Sequence, residues 1–479
     1  MLPDSPSTIP RPLDDAPERR VHLQLEGFEA FAVRIAGMLR TLALPRYLSR
    51  SEHVGGPDEA AMVGEAFDQP LGLWPSPVLL TGDWGSGKTT VLRMVQRELE
   101  LSAPTAESRR DWTWTAPSRS VWFEAWRHAD ADGLLPGLVR AVWASMPADR
   151  AADRRDTALL GCALAAAEAV GRHAVDGAAS SVGLPGLRTL FGRAATSQSV
   201  LAGYVGVAEA ELPTLGAQEV LLRLLARILR HGWPLDPDRG GEFPDGVPRV
   251  PVVFIDDLDR CSPDQAMALL DQVRFLVSDD RLPCVFVFAM DRAILTQAVR
   301  FRYAKLPDYD GNRFLEKLFP MSFRVPEPSH AAVEGLVGAL LGDSEEGQSH
   351  AHAEALCAAL SSPIFANPRL IKRVINAYRL VLAFEGSTAP DPCLADWLAA
   401  TQRWPNLRSL MARRDAGWWA RLGEAARRPT PPPQASADIR ALVTDPLLRD
   451  WLSRHLFGTD GSLVDQLRRA DGRLRRWGL

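Results

Sequence analysis

Short apolar runs alternate with segments of helical periodicity along most of the chain. Five runs have the length and composition of buried strands, at residues 77–81, 120–126, 250–255, 284–289 and 321–325. Apolar residues recur at helical spacing around these runs, for example in 23–44 and 219–229. Strands that alternate with helices predict an α/β fold.

Composition divides the remaining sequence. Residues 1–22 are rich in proline, aspartate and serine and lack apolar periodicity, so we expect a flexible N-terminus. An α/β core is predicted in two segments, 23–149 and 216–326, with an alanine- and glycine-rich helical insert at 150–215 between them. A helical lid is predicted at 327–390 and a C-terminal helical region at 391–479.

The predicted insert has the most unusual composition. Its two apolar runs, 158–170 and 199–207, are both shorter than the ~18 to 20 uninterrupted apolar residues that cross a bilayer. Charged residues interrupt the first run and follow the second. We predict soluble helices, with a partner-binding surface as one use, and keep membrane attachment as the alternative.

Overall composition is that of a globular protein. The chain has 479 residues, 46% of them hydrophobic, and a net charge of -4, which gives no global argument for a nucleic-acid partner. Its five cysteines are far apart and form no C-x-x-C pair. This spacing favours a reducing cytoplasm and excludes a zinc site built from cysteines.

A phosphate-binding loop follows the run at 77–81. Residues 82–89 read GDWGSGKT and match the pattern G-x-x-x-x-G-K-[ST] at every fixed position. Glycines let backbone N–H groups surround a phosphate, Lys88 supplies a compact positive charge, and Thr89 offers a hydroxyl to Mg²⁺. The predicted nucleotide-binding residues are Gly82, Asp83, Trp84, Gly85, Ser86, Gly87, Lys88, Thr89 and Thr90.

Acidic residues follow the buried run that begins at Val250. Asp256 is predicted to hold Mg²⁺, an ion that takes one or two carboxylates and keeps several waters. Asp257 is predicted to orient or deprotonate an attacking water. Two more strand ends carry residues with two interpretations each. Glu124 either contacts the water or is a buried hydrogen-bonded carboxylate, and Asp291 is either a polar sensor or a helix N-cap.

Arginines are the candidates for contact with the outermost phosphate. Segment 367–376 predicts a helix whose first turns carry Arg369, Lys372 and Arg373. Cations at a helix start oppose the helix dipole, which suggests an anionic partner. The alternatives are Arg260 and Arg313.

Four segments together resemble the KAP family of P-loop NTPases, namely GDWGSGKT at 82–89, FEAW at 123–126, IDDLDRC at 255–261 and NPRLIKR at 367–373. The resemblance covers roughly residues 25–410. It implies an ATPase core that binds ATP and Mg²⁺ on a central parallel sheet of five strands, with an additional strand between the two nucleotide motifs and with helices after it. Many members carry transmembrane helices where this chain has its insert. Bacterial members occur in phage exclusion and other anti-phage systems.

Three functions fit these residues. The first is a Mg²⁺-dependent ATPase that drives a conformational switch or self-assembly, with a homo-oligomer or a protein partner expected. The second is a nucleotide-bound scaffold for a partner, and the third is an ATPase stimulated by nucleic acid through the basic tail 468–476, which otherwise forms a solvated helix face. The prediction that the nucleotide is ATP rather than GTP rests on the resemblance and on the absence of an N-K-x-D motif, which would indicate guanine recognition. The predicted catalytic residues are Lys88, Asp257, Arg260, Arg369 and Arg373.

Overall fold

The chain separates into two compact units. We call residues 29–84 and 88–325 the sheet unit, and residues 27–28, 85–87 and 326–478 the helical unit. The predicted flexible N-terminus, 1–22, lies outside the described residues. The computed structural model describes residues 27–42, 76–100, 120–128, 134–146, 154–176, 198–208, 210–212, 215–232, 250–277, 282–303, 310–341, 348–360, 362–365, 367–432, 434–455 and 462–478.

Five parallel strands form the sheet of the sheet unit. They are β1 (Ser76–Thr81), β2 (Ser120–Glu124), β3 (Val252–Asp256), β4 (Val285–Met290) and β5 (Met321–Arg324), in the order β2-β3-β4-β1-β5. β4 therefore lies between β1, which leads into the phosphate-binding loop, and β3, which ends in the acidic residues. The predicted parallel sheet with an additional strand between the two motifs is confirmed.

Burial separates the central strands from the edge strands. Every residue of β3 and of β4 is buried, because their near-continuous apolar runs suit a strand that is covered on both faces. Burial alternates along β2 and β5, which form the two edges of the sheet. The hydrophobic core accordingly lies on both faces of β3 and β4.

The strand predicted at 120–126 ends at Glu124, so the prediction for its last two residues was wrong. Ala125–His128 forms a 3-10 turn, which stacks the His128 ring on Phe123 with the ring centroids 5.0 Å apart. Ala125 is buried in this turn, whereas Trp126 is 42% exposed. Apolar residues continue past the end of β2 because the turn also buries one of its side chains, that of Ala125.

Parallel pairing brings the carboxyl ends of the strands to one edge of the sheet. Glu124 pairs in register with Asp256, and Thr81 pairs with Met290. Residues that follow β1, β3 and β4 therefore start side by side, at the edge where α/β sheets bind ligands. This places the phosphate-binding loop, the acidic residues and Asp291 close together.

One long helix of the predicted insert belongs to the core of the sheet unit. The helices of this unit are α1 (Phe28–Leu42), α2 (Lys88–Glu100), α3 (Leu134–Ala144), α4 (Arg154–Asp176), α5 (Gln198–Val205), α6 (Ala217–Gly232), α7 (Pro263–Val277), α8 (Arg292–Arg302) and α9 (Gly311–Leu318). α4 packs on α3 and α6, and its residues Ala163, Ala166 and Ala167 are fully buried. Small side chains at helical spacing let these helices approach closely. No helix within the described ranges is both long enough and apolar enough to cross a membrane.

The helical unit is built from helices that meet through buried tryptophans and capped ends. They are α10 (His330–Leu341), α11 (Gln348–Leu360), α12 (Pro368–Glu385), α13 (Pro392–Arg403), α14 (Asn406–Arg413), α15 (Ala416–Arg427), α16 (Ala437–Thr444), α17 (Pro446–His455) and α18 (Ser462–Arg476). Trp397 of α13 is fully buried and donates a 3.2 Å hydrogen bond from Nε1 to Asp471 of α18. Asp391 caps α13 by accepting a hydrogen bond from the N–H of Leu394.

Candidate functional site

The phosphate-binding loop leaves β1 after Thr81 and enters α2 at Lys88. Gly85 and Gly87 have φ values of 82° and 97°, a region that residues with a β-carbon rarely adopt. α2 has no acidic residue in its first turn, so the positive end of its dipole stays available to an anion. The Ser86 hydroxyl oxygen is buried and has no hydrogen-bond partner among the described residues, which fits a loop shaped around a ligand.

The other predicted loop residues flank these glycines. Asp83 contributes its carbonyl oxygen to Lys88, and Trp84 contributes its N–H to Asp291. Thr89 and Thr90 lie in the first turn of α2. The local backbone therefore has the geometry of a phosphate-binding loop.

Lys88 is buried and points back across the loop. Its Nζ donates hydrogen bonds to the carbonyl oxygens of Gly82 at 2.9 Å and Asp83 at 3.2 Å. The same nitrogen lies 3.4 Å from Oδ2 of Asp259. An ammonium group has three N–H donors, so the two carbonyl oxygens engage two of them and the ion pair with Asp259 lies beside the third.

Asp256 ends β3 and is 2% exposed. Its Oδ1 accepts the N–H of Asp257 at 2.9 Å, whereas its Oδ2 has no hydrogen-bond donor in the described part of the chain. Burial raises the pKa of Asp256 to about 7; the charge of Asp257 adds to the rise, and the Thr89 hydroxyl opposes it.

The oxygen atoms of Asp256 and Thr89 fit Mg²⁺. A buried carboxylate oxygen without a donor, beside a hydroxyl, is the hard-oxygen donor set that this ion prefers. Across the described ranges, no group of three or more His, Cys, Asp or Glu side chains could hold a metal by itself. One carboxylate and one hydroxyl suit Mg²⁺ because it usually keeps several waters and binds with a phosphate ligand.

Asp257 adopts a left-handed backbone conformation. Its φ of 58° is the only positive value at a non-glycine position among the described residues. Strain of this kind concentrates at functional sites, and here it turns the chain from β3 into the 3-10 turn Leu258–Arg260. Oδ1 of Asp257 lies 2.8 Å from Nε of Arg260. Burial raises the pKa of Asp257, and the positive charge of Arg260 opposes the rise.

Two exposed indole rings flank Arg260. Its guanidinium carbon lies 5.6 Å from the ring centroid of Trp84 and 6.0 Å from that of Trp126. Both tryptophans are more than two-fifths exposed, at 45% and 42%. Cation–π attraction therefore holds Arg260 beside Asp257. Arg260 and Trp84 were predicted site residues, whereas this role of Trp126 was not predicted.

Asp291 follows β4 and uses both carboxylate oxygens. Oδ1 accepts the N–H of Ala293 at 2.9 Å as the N-cap of α8, so that interpretation is confirmed. Oδ2 accepts the N–H of Trp84 at 3.1 Å. The residue therefore caps a helix and also joins the end of β4 to the phosphate-binding loop.

Asp259 is a second site residue whose role was not predicted from the sequence. Its side chain is 3% exposed, and its Oδ2 accepts the N–H of Asp291 at 2.9 Å as well as lying near Lys88. The signal was available, because Asp259 is the third acidic residue of the segment IDDLDR. An acid three positions past a strand has no determined direction, however, until the turn Leu258–Arg260 is known.

Glu124, at the end of β2, forms an ion pair with Arg127 and has a side chain that is 25% exposed. Its interpretation as a buried carboxylate is therefore wrong, and the arginine of the following turn is its partner. The turn Ala125–His128 brings the two side chains together because they are three positions apart.

Arg369, Lys372 and Arg373 lie in the first turns of α12, in the helical unit. Asn367 caps this helix, and its Oδ1 accepts the N–H of Arg369 at 3.0 Å. Gly85, which belongs to the same unit, packs against the cap. A β-carbon at Gly85 would lie 2.7 Å from Asn367 Oδ1 and 2.9 Å from Arg369 Cβ, so this position excludes a larger residue. Arg313, an alternative, has a side chain that is 82% exposed and pairs with Asp310 of its own helix start.

The basic tail lies on α18 and is engaged inside the helical unit. Arg473 forms ion pairs with Glu385, at 2.5 Å, and with Asp391. Arg475 pairs with Asp471 at 2.7 Å. Arg475 therefore pairs within α18, whereas Arg473 connects α18 to the end of α12 and to the residue that caps α13.

Comparison with known proteins identifies the family. Residues 74–160 and 248–383 match the KAP family P-loop domain. A segment of 77 residues is 35% identical to the phage T7 exclusion protein of Escherichia coli (strain K12). The match spans 16% of this chain and 10% of that protein's length.

Two solved structures are similar at low identity. Cdc6p from Pyrobaculum aerophilum matches with a TM-score of 0.34 and 12% identity, over 91% of this chain and 89% of that one. The Aeropyrum pernix ORC1 protein in complex with DNA matches with a TM-score of 0.30 and 15% identity, over 88% of this chain and 81% of that one. With the family match falling on the phosphate-binding loop and on the acidic strand, this chain belongs to the KAP family of P-loop NTPases.

Proposed function

We propose that this protein is a Mg²⁺-dependent ATPase whose cycle drives a conformational switch or self-assembly. The observation that carries the proposal is the meeting of Lys88, Asp256 and Asp257 at one edge of the sheet. Lys88 would neutralise the β- and γ-phosphate oxygens. Thr89 and Asp256 would hold Mg²⁺, which supplies charge stabilisation of the transferring phosphoryl group when it is bound.

Asp257 is the candidate general base, with Arg260 as its positioning partner. Its left-handed backbone turns the chain out of β3, and its side chain is 16% exposed, so solvent water can reach the carboxylate. A base whose pKa burial raises accepts a proton more readily, and Arg260 keeps the carboxylate ionised. The ion pair supports a role for Arg260 on the base rather than on the phosphate.

Arg369 and Arg373 are the proposed contacts to the γ-phosphate. The packing of Gly85 against the start of α12 supports Arg369, because it places this residue's β-carbon near a glycine of the phosphate-binding loop. A contact that exists with ATP and is lost with ADP would supply the difference in binding free energy that a switch requires. Substituting Arg369 without loss of turnover would remove it from this role.

The biological setting that we propose is anti-phage defence in the cytoplasm. The segment in common with a phage exclusion protein supports the first part, and five free cysteines support a reducing compartment. Self-assembly or a protein partner would give the nucleotide cycle its output. Stimulation by nucleic acid is the weaker alternative, because Arg473 and Arg475 of the tail already have acidic partners.

Steady-state hydrolysis tests the proposal. Lys88→Ala should lose nucleotide binding and turnover, and Asp257→Asn should keep binding but lose turnover by about 10²-fold or more. The matched controls are Lys317→Ala and Asp264→Asn, which change an exposed residue of the same type outside the site. Each protein is assayed with and without DNA, with its oligomeric state monitored.

One result would contradict the ATPase itself, and two others would change its mechanism or its trigger. Tight ATP binding without turnover in the wild-type protein would support the scaffold instead. Unchanged turnover in Asp257→Asn would remove this residue as the base. Turnover that DNA raises and salt suppresses would support the nucleic-acid-stimulated alternative.

A further inference from the structure

A closed ring of contacts begins and ends on the phosphate-binding loop. Nζ of Lys88 lies 3.4 Å from Oδ2 of Asp259, and this oxygen accepts the N–H of Asp291 at 2.9 Å. Asp291 in turn accepts the N–H of Trp84 at 3.1 Å. Four residues from the loop, the turn after β3 and the end of β4 are thereby connected.

We infer that Asp259 is the resting counter-ion of Lys88, and that a bound phosphate displaces it. The inference rests on the proposed nucleotide site and adds a positioning residue to it. Lys88 is 10% exposed and Asp259 is 3% exposed at the side chain, so water screens their attraction weakly. A buried carboxylate also needs a partner, because isolated burial of a charge is costly.

Phosphate and Asp259 compete for one ammonium group. Lys88 has three N–H donors, and two of them are engaged by the carbonyl oxygens of Gly82 and Asp83. The third donor is left for the ion pair with Asp259 at 3.4 Å, so a phosphate oxygen that takes this donor weakens the pair. Asp259 would recapture Lys88 when the phosphate leaves, which favours release of the product.

The ring also explains how occupancy of the loop would reach the end of β4. When Lys88 turns to a phosphate, the remaining partner of Asp259 in the ring is the N–H of Asp291. Asp291 caps α8 and contacts Trp84, so a shift of Asp259 would act on a helix start and on the loop together. A nucleotide-dependent switch requires such a connection between the phosphate-binding loop and a second element, which here is the start of α8.

Binding of ADP without Mg²⁺ tests the inference, by calorimetry in EDTA on the full-length chain. Asp259→Asn removes the charge but keeps an oxygen that accepts the N–H of Asp291, and Lys88 keeps both carbonyl acceptors. ADP should therefore bind about tenfold more tightly, because removal of a competing buried ion pair favours the complex by about 1.4 kcal/mol. Asp259→Ser is a second neutral variant and should also bind more tightly.

Charge is separated from structure by two further variants. Asp259→Glu retains the negative charge and should show no tightening. Asp271→Asn removes one negative charge from the half-buried face of α7 outside the ring, and should leave ADP binding unchanged. A residue that only supports the fold would weaken binding when it is changed, so the direction of the effect distinguishes the two roles.

The outcomes are distinguishable from failure of the nucleotide site. Equal or weaker ADP binding by both neutral variants, with tight binding by the wild-type protein, would overturn the counter-ion role alone. Tightening in Asp259→Glu equal to that in Asp259→Asn would overturn it too. Wild-type protein that binds nucleotide no better than Lys88→Ala would overturn the proposed function and this inference with it.

Discussion

Replacement of Asp256 by asparagine should make the nucleotide-free protein more stable at neutral and alkaline pH. The pKa of this carboxyl is 3.8 in its ordinary state and about 7 in the fold, chiefly because of burial. At a pH between these two pKa values, the folded protein keeps a proton that the unfolded chain has released. The unfolded state then binds fewer protons, so the free energy of unfolding falls as pH rises.

The magnitude follows from the pKa difference. Each pH unit between the two pKa values costs about 1.4 kcal/mol, so the loss from pH 5 to pH 7 is about 3 kcal/mol. Above pH 7 the carboxyl is ionised in both states and the loss stays constant. Asp256→Asn has no such loss, and its amide oxygen can still accept the N–H of Asp257.

Urea unfolding in EDTA at pH 5, 6, 7 and 8 measures the effect. The difference in unfolding free energy between Asp256→Asn and the wild-type protein should increase by about 3 kcal/mol across this range, as the pKa difference requires. The exposed Asp264→Asn should run parallel to the wild-type protein. Parallel profiles for Asp256→Asn would refute a strongly raised pKa at this position. With Mg²⁺ and nucleotide present, the wild-type protein should be more stable than Asp256→Asn, because the ion needs the ionised carboxylate.

Two more substitutions test the loop and the base. Gly87→Ala places a β-carbon at a φ of 97° and should weaken ATP binding about tenfold or more in equilibrium dialysis, whereas Gly472→Ala, in open space on α18, should bind ATP normally. Arg260→Ala removes the charge that opposes the raised pKa of Asp257, so the acid limb of the pH–rate profile should move to higher pH. An unmoved limb would show that Asp257 is not the titrating base.

Local patterns predicted the strands and the phosphate-binding loop, and the family resemblance implied the additional strand between the two nucleotide motifs. β3 and β4 are continuous apolar runs, and such runs are read correctly from sequence because both faces of the strand are covered. The loop is equally local, since its glycines and Lys88 lie within eight positions. The N-cap interpretation of Asp291, one of the two that the sequence left open, could be drawn from local sequence because an N-cap depends on its own backbone and on the next two residues.

Contacts that depend on turns were beyond the sequence. The 3-10 turn after β3 decides that Asp259 points to Lys88 while Arg260 points to Asp257. A second such turn ended β2 early and exposed Trp126 beside Arg260. Pairing of this kind requires the directions of side chains from two different strand ends, which a linear pattern does not contain.

The strand order has a consequence for the synthesis of the chain on the ribosome. β1 and β2 are the first two strands of the sheet to emerge, yet they are not neighbours in it, and within the described ranges β1 pairs with β4 and β5. The partners of β1 begin more than 200 residues later, at Val285 and Met321. Because loop closure must precede such pairing, nucleotide cannot protect the nascent chain from misfolding until β4 has been translated. We therefore expect chaperones, rather than ligand, to protect the first half of this protein during translation.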